Sequence, residues 1–178
     1  METRGLNYPV DIEHPKLLDL LRFWEEKRGT RTMPRRSEID VLELAPWLGN
    51  LILLEVLDYG ENFLYRVYGT NLVRLIQYDR TGKSTDDLKS YARQAVLAEY
   101  RSVAESGNPL YIRQRRTVVK GQLMLSKLVL PLSEDGQSVN RLLAGVYPSE
   151  KGMDDALPDR FGGFIGADSD GATTAVSA

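Results

Sequence analysis

Residues 50–70, NLILLEVLDYGENFLYRVYGT, contain two short apolar runs separated by a turn-forming segment. The aliphatic run over 50–57 is too short for a typical helix and predicts a buried strand. The run over 63–68 is rich in aromatic residues, which favour strands. Between the two runs, residues 59–62 include Gly and Asn, which are typical of tight turns. The stretch therefore predicts a β-hairpin, and Gly69 is expected to end it.

Helices and further strands are predicted downstream of the hairpin. Thr70 is expected to cap a helix over 71–77, and good helix formers dominate from 86 to 106. Strands are then predicted over residues 110–119, 122–132 and 139–147. Because short turns join antiparallel neighbours, we expect an α+β fold, a five-stranded antiparallel sheet with a helical block on one face.

An amphipathic helix is predicted upstream of the hairpin, over residues 14–27. Leu17, Leu18, Leu21 and Trp24 fall there at helical spacing, and the residues that follow are polar and basic. Residues 149–178, the C-terminal tail, show no helical or strand periodicity of apolar residues, so we expect this tail to be flexible. The chain is accordingly divided into an irregular arm (1–13), the N-terminal helix with its connector (14–49), the core (50–148) and the C-terminal tail (149–178).

Composition limits the classes of function. Apolar residues make up 42% and charged residues 27%, as in soluble globular proteins. The net charge of -2 provides no overall basic field for nucleic acid or for a membrane surface. Cysteine is absent, and the first residues lack the apolar core of a signal peptide. We therefore expect a cytoplasmic protein without membrane insertion and without a nucleic-acid partner.

Several short motifs together resemble a known family. They are Leu21-x-Phe23-Trp24, Arg28-Gly29, Met33-Pro34-Arg35-Arg36 before Ile39-Asp40, Phe63-x-Tyr65-Arg66-Val67-x-Gly69-Thr70 and Asp79-x-Thr81-Gly82-Lys83. Over roughly residues 14 to 148 this combination resembles the bacterial PAS_5 group of PAS-domain proteins. The resemblance implies a PAS fold and a sensory or regulatory role in signal transduction, often exercised as a homodimer.

A sheet with helices on one face encloses a space where small molecules commonly bind. We predict that a ligand there changes the arrangement of the helices or of a dimer, and that a separate signalling protein reads the change. Two alternatives stay open: a constitutive interaction adaptor without a ligand, and a small-substrate isomerase or hydratase on the same shell. The residues expected to line the space are Tyr65, Val67, Leu72, Ile76, Tyr91, Ile112, Leu125 and Val146.

The apolar stripe of the N-terminal helix has two possible partners, the open sheet face or a second copy of the helix. The family resemblance favours the second copy. The predicted dimer contacts are Leu17, Leu18, Leu21 and Trp24.

Basic residues allow two interpretations at each place. Arg66 faces either an anionic ligand or a structural carboxylate. The late strands make one sheet face polar, which is either exposed to solvent or lines a wet cavity. The connector arginines are either solvated or bind phosphate. The late-strand residues are Arg113, Arg115, Arg116 and Lys127, and the connector residues are Arg28, Arg31, Arg35 and Arg36.

Cofactor chemistry is restricted by two residue types. His14 is the sole histidine and begins the N-terminal helix, outside the predicted site, so metal and histidine-ligated haem are not expected. Without cysteine the chain has no thiol for a cysteinyl-flavin adduct. The cofactor stays unknown, and no catalytic residue is predicted.

Overall fold

The computed structural model describes residues 12–118 and 121–148, with side chains described except at 90–91, 116–118 and 121–122. Most of the predicted arm and the whole predicted tail lie outside the described residues. The elements are the helices α1 (Pro15–Arg28), α2 (Thr70–Ile76) and α3 (Ser90–Ser106), and the strands β1 (Leu51–Leu57), β2 (Asn62–Tyr68), β3 (Leu110–Val118), β4 (Gly121–Leu132) and β5 (Arg141–Pro148).

The strands form one antiparallel sheet in the order β2-β1-β5-β4-β3. The predicted five-stranded α+β fold is therefore confirmed. The central strand β5 follows β4 through the turn after Leu132 and lies beside β1. The hairpin of β1 and β2 therefore meets the three consecutive strands β3, β4 and β5 at the pair of β1 with β5. No helix in the described part of the chain is long and apolar enough to cross a membrane.

Two elements begin differently from prediction. Thr70 does not cap α2, because it is the first helical residue and Gly69 holds the N-cap position. The helix expected from 86 is divided, because the side chains of Ser84 and Asp87 cap a single short turn, Thr85–Asp87. Leu88 then returns to extended backbone, and α3 starts two residues later, at Ser90.

Both faces of the sheet are covered. We call the face under α2 and α3 the inner face and the face under α1 and the connector the outer face. Alternation along the strands divides the apolar side chains between them. On β5, for example, Leu143 contributes to the outer core, whereas Leu142 and Ala144 contribute to the inner core. The helical block on one face is as predicted, and α1 covers the other.

The helix α1 is held on the outer face by close packing and by hydrogen bonds of two indoles. The Trp24 Nε1 donates to the Pro131 carbonyl at 2.8 Å, and the Trp47 Nε1 donates to the Lys16 carbonyl at 2.8 Å. Gly145 of β5 lets the helix approach, because a Cβ there would lie 2.7 Å from a Leu17 methyl carbon. These contacts fix the connector and α1 to the sheet.

Candidate functional site

Four of the predicted lining residues meet on the inner face. Tyr65, Leu72 and Val146 belong to one buried cluster, and Leu125 packs against its edge. Ile76 lies beside them in a smaller cluster, which Leu125 also contacts.

Two other predicted lining residues, Ile112 and Val67, do not join this cluster. Ile112 is half-buried on β3, opposite Lys127. The side chain of Tyr91 lies outside the described residues. Val67 is 39% exposed, and its predicted inward orientation is wrong.

A β-bulge at Arg66 explains the orientation of Val67. Leu54 pairs with Tyr65 and Leu53 pairs with Val67, so Arg66 is an extra residue in β2. An extra residue reverses the alternation of side chains beyond it. Tyr68 therefore packs on the inner cluster together with Tyr65, and Val67 is turned to the outer side. Simple alternation over 63–68 does not reveal such a bulge.

Two tyrosines lie deep in the inner face. Tyr65 is 3% exposed and Tyr100, from α3, is 1% exposed. Burial raises the pKa of both hydroxyls above the ordinary tyrosine value, although the neighbouring Tyr65 hydroxyl opposes the rise at Tyr100. Both side chains are therefore neutral near pH 7 and act as hydrogen-bonding groups, not as bases.

An ion pair joins α3 to the sheet beside these tyrosines. The Lys127 Nζ lies 2.6 Å from the Glu99 Oε2 and 4.3 Å from the centroid of the Tyr100 ring. The other Glu99 oxygen accepts a hydrogen bond from the Gln114 side-chain amide. The Lys127 and Glu99 side chains are only 11% and 14% exposed, so solvent screens their attraction weakly.

Further aromatic and basic side chains adjoin the tyrosine pair. The Tyr65 and Tyr68 rings meet edge to face, with centroids 5.8 Å apart. The Arg80 guanidinium lies 5.9 Å from the Tyr65 ring and 5.7 Å from the Tyr78 ring. We call the whole set the inner-face polar cluster; its members are Tyr65, Tyr68, Arg80, Glu99, Tyr100, Gln114 and Lys127.

Sequence reasoning missed the α3 members of this cluster. Leu97, Tyr100 and Val103 are spaced three residues apart, which places them on one helix face, and this spacing was a usable signal for Tyr100. Glu99 carried no such signal, because its partner Lys127 is 28 residues away in the chain.

Arg66 lies on the edge strand β2 and pairs with a structural carboxylate, which is one of the two partners predicted for it. Its guanidinium pairs with Glu55 of β1, which Arg141 of β5 also contacts at 2.9 Å. Hydrogen bonding from Arg141, and then from Arg66, lowers the pKa of Glu55.

The late-strand cations do not share one face. Lys127 lies on the inner face, whereas Arg113 lies on the outer side, 3.1 Å from Glu13. Arg115 is exposed, and the side chain of Arg116 lies outside the described residues. The predicted single polar face is therefore wrong, because successive residues of β3 alternate between the faces.

Three of the four connector arginines make contacts within their own segment, and Arg35 contacts the turn between β4 and β5. Arg31 pairs with Glu38 at 2.6 Å, and Arg28 donates to the Arg31 carbonyl at 3.0 Å. Arg36 donates to the Ile39 carbonyl at 2.8 Å, and Arg35 lies beside Gly136. These contacts stabilise the folded connector.

Three of the four predicted dimer contacts are buried within the chain. Leu17 and Trp24 are 0% exposed and Leu21 is 6% exposed against the outer face, whereas Leu18 is partly exposed. Packing on the chain's own sheet, one of the two possible partners of the stripe, accounts for these three.

His14 lies at the start of α1, buried and stacked on Tyr147 with ring centroids 4.4 Å apart. Within residues 12–118 and 121–148, no group of three or more His, Cys, Asp or Glu residues is arranged to hold a metal ion.

Among solved structures, the chain is similar to a light-oxygen-voltage domain described with a flavin analogue. The identity is 15% and the TM-score 0.46, over 62% of this chain and 85% of that one. It is also similar to a fungal light-oxygen-voltage photoreceptor domain, at 14% identity and a TM-score of 0.41, over 76% of this chain and 92% of that one. No curated protein matches the chain.

The family PAS_5, described as a PAS domain, matches residues 12–147, from Ile12 ahead of α1 to Tyr147 within β5. The match includes α1, the connector, both faces of the sheet and the inner-face polar cluster. The chain therefore belongs to the PAS_5 family of PAS domains.

Proposed function

We propose that this PAS domain is a non-enzymatic sensory or regulatory module whose response arises where α3 contacts the inner face. The observation that carries the proposal is the inner-face polar cluster, in which an ion pair and a tyrosine pair lie within an otherwise apolar core. Burying such groups costs free energy that apolar side chains of similar volume avoid. Their presence is explained if the contact is used as a switch.

The proposed response to a ligand depends on the contacts that hold α3 on the sheet. The helix contacts the sheet through apolar residues such as Leu97 and through the polar contacts of Glu99 and Tyr100. A small molecule that binds between α3 and the sheet exchanges some of these contacts for its own. It thereby shifts the balance between two positions of the helix, and a separate protein partner binds one of them better.

Native mass spectrometry of the purified chain, combined with a thermal-shift screen of small metabolites, tests this proposal. We expect a recurring bound compound, or a compound that raises the unfolding temperature, because a ligand specific to the folded state stabilises it. The matched control is Val146→Trp, which adds a bulky side chain to the inner face and should abolish that rise. A chain that is always bare and responds to no compound would contradict ligand sensing.

A constitutive adaptor without a ligand is the second candidate, and one observation favours it. The chain's own side chains fill the inner face closely, with Phe63 0%, Tyr100 1% and Tyr65 3% exposed. An adaptor would show the bare mass and no thermal shift, while still binding its protein partner.

The isomerase or hydratase alternative needs a base directed at a substrate. The raised pKa values of Tyr65 and Tyr100 make both poor bases near pH 7. Glu99 accepts hydrogen bonds from Lys127 and Gln114.

A cysteinyl-flavin adduct requires a cysteine thiol, and the sequence lacks cysteine. We therefore propose no reaction and no cofactor.

A further inference from the structure

The charge of Lys127 is compensated across the contact between α3 and the sheet. Lys127 lies on β4 between Ile112 of β3 and Val146 of β5, both apolar neighbours. Its Nζ contacts the Glu99 carboxylate at 2.6 Å and the face of the Tyr100 ring at 4.3 Å. Both of these partners belong to α3. Moving α3 away therefore takes the carboxylate away from Lys127.

The acceptor that Glu99 provides is shared by two strands. One carboxylate oxygen accepts from Lys127 of β4 and the other from Gln114 of β3. Whatever replaces Glu99 must present two oxygens with negative charge between these donors. A neutral molecule would leave Lys127 largely buried without a counter-charge, which is strongly unfavourable. A carboxylate replaces Glu99 oxygen for oxygen.

The surroundings define the rest of such a molecule. The Tyr100 ring lies against Lys127, and Tyr65 belongs to the same buried cluster. Burial raises the pKa of both hydroxyls, so they are neutral and able to donate hydrogen bonds to an anion. Leu125 and Val146 pack at the same inner face and offer apolar contact. These features match a small organic acid with an apolar body.

We propose that the ligand is a small organic carboxylate that displaces the Glu99 carboxylate from Lys127 and Gln114 and so releases α3 from the sheet. The inference rests on the proposed sensory function and specifies its ligand class and its switch. Glu99 acts as an internal competitor of the ligand for the same two donors.

The test uses pairs of probes that have similar shapes and differ in charge: acetate and acetamide, hexanoate and hexanamide, benzoate and benzamide. Binding to the full chain is measured by calorimetry and thermal shift. We expect at least one carboxylate to bind and its amide to fail. Glu99→Gln should tighten carboxylate binding by about tenfold, because it removes the competing charge while keeping the side-chain shape.

Two further variants complete the experiment. The double variant Glu99→Gln with Lys127→Met removes both charges of the ion pair together, so it should fold and lose carboxylate binding. Glu55→Gln disrupts an ion-pair group at the sheet edge and should leave binding unchanged. Amide exchange in α3 should increase when the carboxylate binds, which a merely stabilising additive would not produce.

The outcomes separate the ligand class from the sensory function. Equal binding of an amide and its carboxylate, or carboxylate binding unaffected by both Glu99 and Lys127 variants, would overturn the inference and leave ligand sensing intact. If no probe binds while an uncharged compound copurifies with the chain, the inference again fails alone. If no probe binds and the chain is always bare, both proposals fail.

Discussion

Gly69 shows how a single residue positions the inner face, because the chain turns there from β2 into α2. A Cβ at this position would collide with the carbonyl of Gly49, and it would lie 2.8 Å from the Leu48 carbonyl oxygen. Both obstacles are backbone atoms, which cannot rotate away. The backbone of Gly69 has φ −58°, so the need for glycine comes from close approach and not from a left-handed conformation.

Gly69→Ala should therefore lower the free energy of unfolding by about 1–3 kcal/mol, the usual range for forcing extra atoms into a packed site. Urea denaturation measures the change. Gly49→Ala is the matched control, because its Cβ would meet the movable Asn71 side chain at 2.7 Å. Equal losses in the two variants would contradict the backbone collision at Gly69.

The buried hydroxyls of Tyr65 and Tyr100 should both contribute to the stability of the fold. Each Phe substitution removes one hydroxyl from this buried cluster and takes a polar neighbour away from the other hydroxyl, so each should cost about 1–3 kcal/mol. The double variant removes both groups and should cost clearly less than the sum of the single losses. A double-mutant cycle by chemical denaturation tests this. Additive losses would show that the two hydroxyls do not interact.

At the scale of an element, the turn between β4 and β5 is built around Asp135. Its carboxylate accepts hydrogen bonds from the Gln137 and Ser138 backbone N–H groups, at 2.8 and 2.9 Å, and from the Ser133 hydroxyl at 2.8 Å. The backbone N–H of Gln137 makes the largest contribution, and together these donors lower the pKa of Asp135 to about 2. The turn is therefore stabilised by the ionised carboxylate.

The lowered pKa of Asp135 determines the direction in which stability changes with pH. The folded pKa of Asp135, about 2, lies below the value of about 3.9 for an unfolded Asp, so the stabilisation is complete above pH ~4 and is lost as the pH falls through ~2. Asp135→Asn should be less stable than the parent near neutral pH, and the difference should shrink in acid. Thermal unfolding across pH measures it.

Glu134→Gln provides the control for this turn, since it alters the neighbouring ion pair with Arg141 instead. A stability difference between Asp135→Asn and the parent that stays constant from neutral pH to pH ~2 would contradict the role of the ionised Asp135 carboxylate.

At the scale of the whole molecule, the sheet is covered on both faces, and this changes how a homodimer can form. Leu17 is 0% exposed on the outer face, whereas Leu18 of the same helix is partly exposed. A dimer that forms through α1 while α1 stays on its own sheet would use outward residues such as Leu18. A dimer formed through Leu17 would require α1 to leave the sheet.

Leu17→Ala should lower the free energy of unfolding by about 2–5 kcal/mol, as for other fully buried leucines. Leu18→Glu should leave stability nearly unchanged and weaken the predicted self-association. Denaturation and sedimentation velocity measure the two effects separately. Weaker association of Leu17→Ala without a loss of stability would show that α1 packs on another copy.

Much of the fold could be predicted from local patterns of apolar and turn-forming residues. Apolar runs over 50–57 and 63–68, with a turn between them, predicted the first hairpin closely, because short strands and turns depend on neighbouring residues. The late strands were predicted for the same reason. The site was predicted in part, since Tyr65, Leu72, Leu125 and nearby Val146 do meet on the inner face.

The strands, the helices and the family resemblance could all be predicted from the order of the amino acids. The folded chain was needed to show that a bulge at Arg66 turns Val67 outward, that α1 occupies the outer face, and that Glu99 meets Lys127. The two sets of features differ in the sequence separation of the residues on which they depend. Strand and helix patterns depend on residues a few positions apart, whereas bulges and buried ion pairs depend on which distant elements pack together.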